Sequence, residues 1–136
     1  MAELNLEIIS PEKPILKDQI DAVTIPGTLG SFQILKDHAP LISSFEIGIV
    51  KLKKVSTDTY YTTTGGTVEV NKNKVLVLAD SIEKVEEIDE ERAEQAKKRA
   101  EERLKRKHEE EIDEARARAA LSRAMNRLNA VKKYTS

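Results

Sequence analysis

The chain contains no cysteine, so neither a disulfide nor a thiolate metal site can hold it together, a composition that fits a reducing compartment. No apolar run approaches the ~20 residues of a bilayer span. The first ten residues, MAELNLEIIS, are acidic and soon meet Pro11, unlike the basic start of an export signal. A membrane is therefore expected to be met only through a partner. Glycine and proline are missing from the whole second part. Gly27, Gly30, Gly48, Gly65 and Gly66, with Pro11, Pro14, Pro26 and Pro40, all precede the stretch 89–133, which also lacks aromatic residues. Arginine has the opposite bias, and all eight lie inside that stretch. No sign of charge dominates. Up to residue 88 there are 9 Lys+Arg against 13 Asp+Glu, net −4, and beyond it 14 against 11, net +3. That field is too weak and too interleaved for a general nucleic-acid binder.

The front is rich in period-2 patterns. Leu4, Leu6 and Ile8 alternate with Asn5 and Glu7, the signature of a half-buried strand. Strands are expected around Ile15–Lys17, Val23–Ile25, Ile34–Leu35, Leu41–Leu52 with Gly48 as a bulge, Thr59–Thr64, Val68–Val70 and Val75–Leu78. Gly65–Gly66 is read as a break, and NKNK (Asn71 to Lys74) as a hairpin turn. Eight to ten short strands with frequent turns predict a small β-sandwich or barrel over 1–87.

Chemistry is thin in this part. His38 has no second histidine nearby in the sequence, which argues against a metal site of clustered imidazoles. There is no nucleophile elbow and no phosphate loop of the GxxxxGK[ST] form, and Gly27-x-x-Gly30 reads as turn chemistry. This is the profile of a docking module.

Residues 88–136 are built from strong helix formers. Asp89 is placed as an N-cap, with Glu90 and Glu91 complementing the dipole. Ala93, Ala96, Ala100 and Leu104 form one narrow stripe; Ala117, Leu121, Ala124, Leu128 and Val131 form a seam at spacings 4, 3, 4, 3. Between them KRKHEEEID lacks any apolar residue from Lys105 to Glu111. That predicts an antiparallel hairpin of helices of roughly 17 to 20 residues, the second capped by Asp113. A single continuous helix is the other reading. The fold class is therefore α+β. Two alanine faces bury little area, so such a hairpin opens easily. Arg92 and Arg99 share a helical face, and Arg123 and Arg127 are an i, i+4 pair. Converging guanidiniums suit a polyphosphate; salt bridges to the abundant Glu are the alternative.

Four segments together carry a resemblance over essentially the whole length: IPGTLGSFQILKDHAPL (Ile25 to Leu41), GGTVEVNKNKVLVLAD (Gly65 to Asp80), IDEERA (Ile88 to Ala93) and ALSRAMNRL (Ala120 to Leu128). In order and spacing the chain resembles the epsilon subunits of rotary ATP synthases. One departure stands in the first segment. Gly-Ile-Leu-Pro commonly precedes the His-x-Pro-Leu there, and Gln33-Ile34-Leu35-Lys36 replaces it here.

The resemblance implies a non-catalytic rotor subunit that couples ion flow to ATP synthesis, peripheral to the cell membrane on the cytoplasmic side. The sandwich would bind the gamma subunit and the ring of c subunits, with Gly27, Gly30 and His38 on the facing surface. The hairpin would lie compact, or extend toward the alpha and beta subunits and inhibit ATP hydrolysis, with Arg116, Arg118, Arg123 and Arg127 meeting their acidic surface. No cofactor is required, but ATP is implied as a regulatory ligand. The motif Ile/Leu-Asp-x-x-Arg-Ala of ATP-binding members is matched by Ile88, Asp89, Arg92 and Ala93, joined by Glu83, Arg99, Arg123 and Arg127. A free-standing β-sandwich adaptor is the rival from another class, and a metal enzyme using His38 a distant third.

Overall fold

The computed structural model describes residues 3–109 and 112–135. It divides into two compact units, 1–84 and 85–136. In the first, seven strands form in chain order: β1 (Leu4–Ile9), β2 (Pro14–Ile20), β3 (Ala22–Gly27), β4 (Gly30–Ile34), β5 (Leu41–Lys54), β6 (Thr57–Asn71) and β7 (Lys74–Lys84). They hydrogen-bond in the order β2-β1-β7-β6-β5-β3-β4. Every neighbouring pair is antiparallel except β1 and β7, where Leu6 stands opposite Val75 in a parallel ladder.

One core is fed by all seven strands, from Leu4, Leu6 and Ile8 at one side of the order to Val23, Ile25 and Ile34 at the other. A continuous sheet can do this only by folding over on itself into a sandwich. The fold lies in the long β5–β6 ribbon. Early in β5 the odd position Phe45 is buried; later the even positions Val50 and Leu52 are. In β6 the inward set changes from Tyr61 and Thr63 to Val68 and Val70. Pairing is in step on both sides of the change, with Phe45 opposite Gly66 and Val50 opposite Tyr61. Both strands therefore reverse their inward face at one place, marked by Gly48 and by Gly65–Gly66, where the β6–β7 register also shifts.

Gly48 lies inside β5, as expected, but Gly65–Gly66 does not break the run, as the sequence suggested it would. The strands run through them, which is why seven are formed and not eight to ten. Gly66 is held there by sterics: at φ 156° its Cβ would lie 2.0 Å from the Leu78 carbonyl oxygen and 2.9 Å from Phe45 Cζ.

The outer strands are blunted. β2 begins at Pro14 and carries Lys17 and Asp18; β4 is five residues long. Asp18 makes an ion pair with Lys54, tying outer strand β2 to the end of β5. The hydrogen bond from the Lys54 ammonium holds the Asp18 carboxyl below its ordinary value, against a partial opposing effect of burial.

The second unit starts with a short 3-10 turn (Val85–Glu87), followed by α1 (Glu90–Lys105) and α2 (Glu114–Tyr134). Asp89 and Asp113 are both N-caps, each accepting from the backbone N–H three residues on, at 3.1 Å. The chain leaves α1 at Arg106, so the two helices form the hairpin and not one continuous rod. Residues 110 and 111 of the expected break lie outside the described residues. Charge follows the dipoles: Arg103 and Lys105 close α1 and Glu114 opens α2. The buried seam is Ala93 and Ala100 against Ala117 and Ala124. Ala130 is buried too, and the 3-10 turn carrying buried Val85 packs on α2.

Two outcomes are expected. Gly66→Ala destabilises the sandwich by at least about 2 kcal/mol, because backbone must move to admit the methyl; the urea midpoint falls with the slope unchanged. Asp18→Asn costs at most about 1 kcal/mol near neutral pH, since the pair is half exposed. The folded carboxyl titrates below the unfolded one, so its stabilisation is complete above the ordinary carboxylate range and is lost as pH falls through the lowered value. The gap between parent and variant stability, followed by urea melts at decreasing pH, should close on that acid limb.

Candidate functional site

Two regions carry exposed side chains out of keeping with a simple solvated surface. In the helical unit, a helix advances 100° per residue, so each position can be placed relative to the alanine seam. Arg92 precedes buried Ala93 by one residue, and Arg99 precedes Ala100 by one. On α2, Arg116 precedes Ala117 and Arg123 precedes Ala124, while Arg127 follows Ala124 by three, which returns it to the same side. Antiparallel helices are related by a two-fold axis normal to their common plane. Residues offset from the seam in the same sense therefore share one face of the hairpin.

Arg103, three residues past Ala100, joins this face. Six of the eight arginines thus lie on one flank. The other residues of α1 and α2 at that phase are Ala96, Ala120, Ala130 and Tyr134, with no carboxylate among them. Salt bridging, the alternative open from spacing alone, must therefore draw on carboxylates outside that phase. Arg118 is on the opposite flank, where its guanidinium donates to Glu114 at 2.7 and 3.1 Å and holds that carboxyl below its usual range. The expectation had grouped Arg118 with Arg116, and the helical phase separates them.

The remaining residues of the implied nucleotide motif are dispersed by role. Asp89 uses Oδ1 to cap α1 through the backbone N–H of Arg92. Ala93 is fully buried in the seam, and Ile88 is half-buried just before the cap. Arg92, Arg99 and Arg123 are exposed, and Arg127 is half-buried. Glu83 belongs to the other unit, near the end of β7, opposite Thr62. Arg103 was missed because its place depends on where the seam runs, which only the observed burial fixes.

The second region is at the sandwich. Gly27 and Gly30 pair as the last and first residues of β3 and β4, leaving Thr28–Leu29 as a two-residue tip. The Leu29 side chain is fully exposed. A shallow hollow of about 220 Å³ lies between this tip and Leu41 and Ser43 at the start of β5. The segment 35–40 runs directly into Leu41. It holds half-exposed Leu35 and also His38, whose Nδ1 is 2.7 Å from the Ala39 carbonyl oxygen. Leu29 and Leu35 thus put apolar side chains on segments that connect strands, while Ile42, 76% exposed, is on the face of β5 opposite Leu41 and Ser43. Among the described residues, no three His, Cys, Asp or Glu side chains stand close enough to hold a metal ion. No helix of the described residues is long and apolar enough to cross a membrane.

Residues 3–85 match the family described as ATP synthase, Delta/Epsilon chain, beta-sandwich domain, and residues 86–132 its long alpha-helix domain. The chain is 47% identical over 106 residues to the ATP synthase epsilon chain of Symbiobacterium thermophilum, covering 77% of this chain and 76% of that one. Identity to the ATP synthase epsilon chain of Pelotomaculum thermopropionicum is 45% over 102 residues, covering 75% and 76%. In fold it is similar to a chain of the Euglena gracilis mitochondrial ATP synthase, solved as OSCP/F1/c-ring, with a TM-score of 0.84 at 22% identity over 96% of this chain and 82% of that one. A chain of the Tetrahymena thermophila mitochondrial ATP synthase, from its central stalk and c-ring, gives 0.59 at 14% identity over 98% and 97%.

Asp89→Ala should remove the cap and cost the helical unit about 1 kcal/mol, with Asp89→Asn nearly neutral because Asn caps equally well. Amide exchange in the first turn of α1 reads the difference directly.

Proposed function

The chain belongs to the ATP synthase delta/epsilon family, as a non-catalytic epsilon subunit of the central stalk, and from that premise we propose that its two units divide docking from regulation. The sandwich is the docking part. The tip Gly27–Gly30 and the segment leading through His38 to Leu41 form the surface toward the gamma subunit and the c ring, on the cytoplasmic side of the membrane. Exposed Leu29 and half-exposed Leu35 supply the apolar contact that a turn-rich surface otherwise lacks.

The hairpin is the regulatory part. The observation that carries this reading is the arginine flank, with no carboxylate at its phase. Guanidiniums gathered on one face suit an anion that offers several oxygens, each able to accept a charge-assisted hydrogen bond. ATP is such an anion, bound while the hairpin is closed and the arginines of the two helices face the same way. Acidic surface on the alpha and beta subunits is the competing partner once the helices part, and there the hairpin inhibits hydrolysis. The seam suits this exchange, because its fully buried residues are alanines and its leucines, Leu104, Leu121 and Leu128, are only half-buried. ATP then acts as a signal through its preference for the closed form, in proportion to its differential affinity for the two forms.

Calorimetric titration of ATP into the full chain tests the closed-form site. Arg92→Ala and Arg123→Ala, one from each helix, should each weaken binding by roughly tenfold, the scale of one charge-assisted hydrogen bond. Arg118→Ala, from the opposite flank, should leave it unchanged. Equal losses in all three variants, or no heat up to millimolar ATP, would remove the nucleotide from this reading and leave the alpha and beta surfaces as the partner of the flank.

A further inference from the structure

The segment Leu35–Pro40 has no glycine, and its only proline is its last residue, yet its geometry is tightly specified. Asp37 takes φ 62°, the left-handed region that side-chain-bearing residues rarely adopt. Aspartate tolerates that region better than most residues, and contacts from outside the segment accompany it. The backbone N–H of Asp37 donates to Asn73 Oδ1 at 2.7 Å, and Asn73 Nδ2 donates to Asp37 Oδ1 at 3.2 Å. Each residue thus both gives and accepts, across 36 positions of sequence. Asn73 is itself fixed. It sits with Lys72 in the two-residue turn between β6 and β7, at φ 63° and 49°, and its carbonyl accepts from the Asn5 N–H at 2.9 Å, which joins the turn to β1. Next door, the Lys36 ammonium is 2.7 Å from Glu3, just ahead of β1. The His38 N–H closes the turn onto the Leu35 carbonyl at 3.2 Å.

We propose that Asn73 is a positioning residue for docking: its carboxamide, locked to the β6–β7 turn and to β1, holds Leu35–Pro40 in the shape that the sandwich presents to the rest of the rotor. The proposal rests on the reading above that this segment belongs to the docking surface. Without the clamp, Asp37 relaxes to a right-handed or extended backbone, and Leu35 and His38, two residues before it and one after, leave their places. A loop that must be ordered on contact binds more weakly than one ordered beforehand. Asn73 serves this role because it combines three properties: tolerance of positive φ, one donor and one acceptor on a short side chain.

The test is an exchange of partners in the full chain. Asn73→Asp sets two carboxylates against each other and removes the Nδ2 donor. Adding Asp37→Asn restores a donor facing an acceptor, with the roles reversed and the Asp37 N–H acceptor still present. Two quantities are read: exchange of the residue-37 backbone amide in the free chain, and affinity for ATP synthase stripped of this subunit. Asn73→Asp should speed exchange by about tenfold and weaken binding by about tenfold, and the double variant should return both to within about twofold of the parent. A merely structural loss would not be rescued by a second substitution. Leu29→Asp, on the neighbouring tip and outside the clamp, reports on the surface itself. Unaltered exchange in Asn73→Asp would overturn the proposal, as would faster exchange with parental binding. If Leu29→Asp weakens binding in that last case, the docking surface stands and only the clamp is lost; if it too binds normally, the docking reading falls and takes the proposal with it.

Discussion

Everything in the sandwich depends on one constraint: a single hydrogen-bonded sheet must enclose a core with the apolar side chains of both its ends. Alternation along a strand normally commits it to one inward face. β5 and β6 escape by changing phase together, so pairing is uninterrupted while the buried face switches from Phe45 and Val68 to Val50 and Tyr61. The cost is a spot where no side chain fits, and Gly66 occupies it against Leu78 and Phe45. With that corner made, β3 and β4 are carried over the core, and the tip Gly27–Gly30 arrives beside Leu41. The candidate docking surface is a by-product of how the ribbon folds.

The helical unit solves the opposite problem. Its fully buried seam is alanine, with Leu104, Leu121 and Leu128 only half-buried beside it, which lets backbones approach closely but leaves limited apolar area to defend the pairing. Local devices compensate at the ends: Asp89 and Asp113 cap, and the charges at the turn match the dipoles. The arginines then occupy one flank and the i, i+4 pair Glu114–Arg118 the other. A unit of this kind is well defined as two helices and more lightly defined as a pair.

How far the sequence could be read follows the range of the interaction. Caps, helix ends and the alternation of Leu4, Leu6 and Ile8 are set by neighbours within four residues, and they stand where periodicity placed them. The strand count was overstated because glycine within a β pattern signals either an end or a change of phase, and only the partner strand decides which. In the helices, spacing linked Arg92 to Arg99 and Arg123 to Arg127, but the orientation of each pair required the seam. Arg103 accordingly went unnoticed, and spacing alone did not show that Arg118 turns to Glu114 on the other flank. Val131, which continues the 4-3 rhythm, is half-buried, and its neighbour Ala130 is fully buried. The Asp37–Asn73 clamp was out of reach altogether: both residues are ordinary in turns, and nothing local joins positions 36 apart.

The parallel pairing of β1 with β7 also orders events in time. Leu6 finds its partner at Val75, 69 positions later, whereas β2, β4 and β6 each lie beside the strand made just before them. During synthesis the first strand can pair on one side with β2, but its other edge stays open until nearly the whole sandwich has left the ribosome. Closure of the core therefore comes as one late, long-range step. It follows directly before the helices emerge, so the helical unit is always added to a sandwich whose last strand is already made.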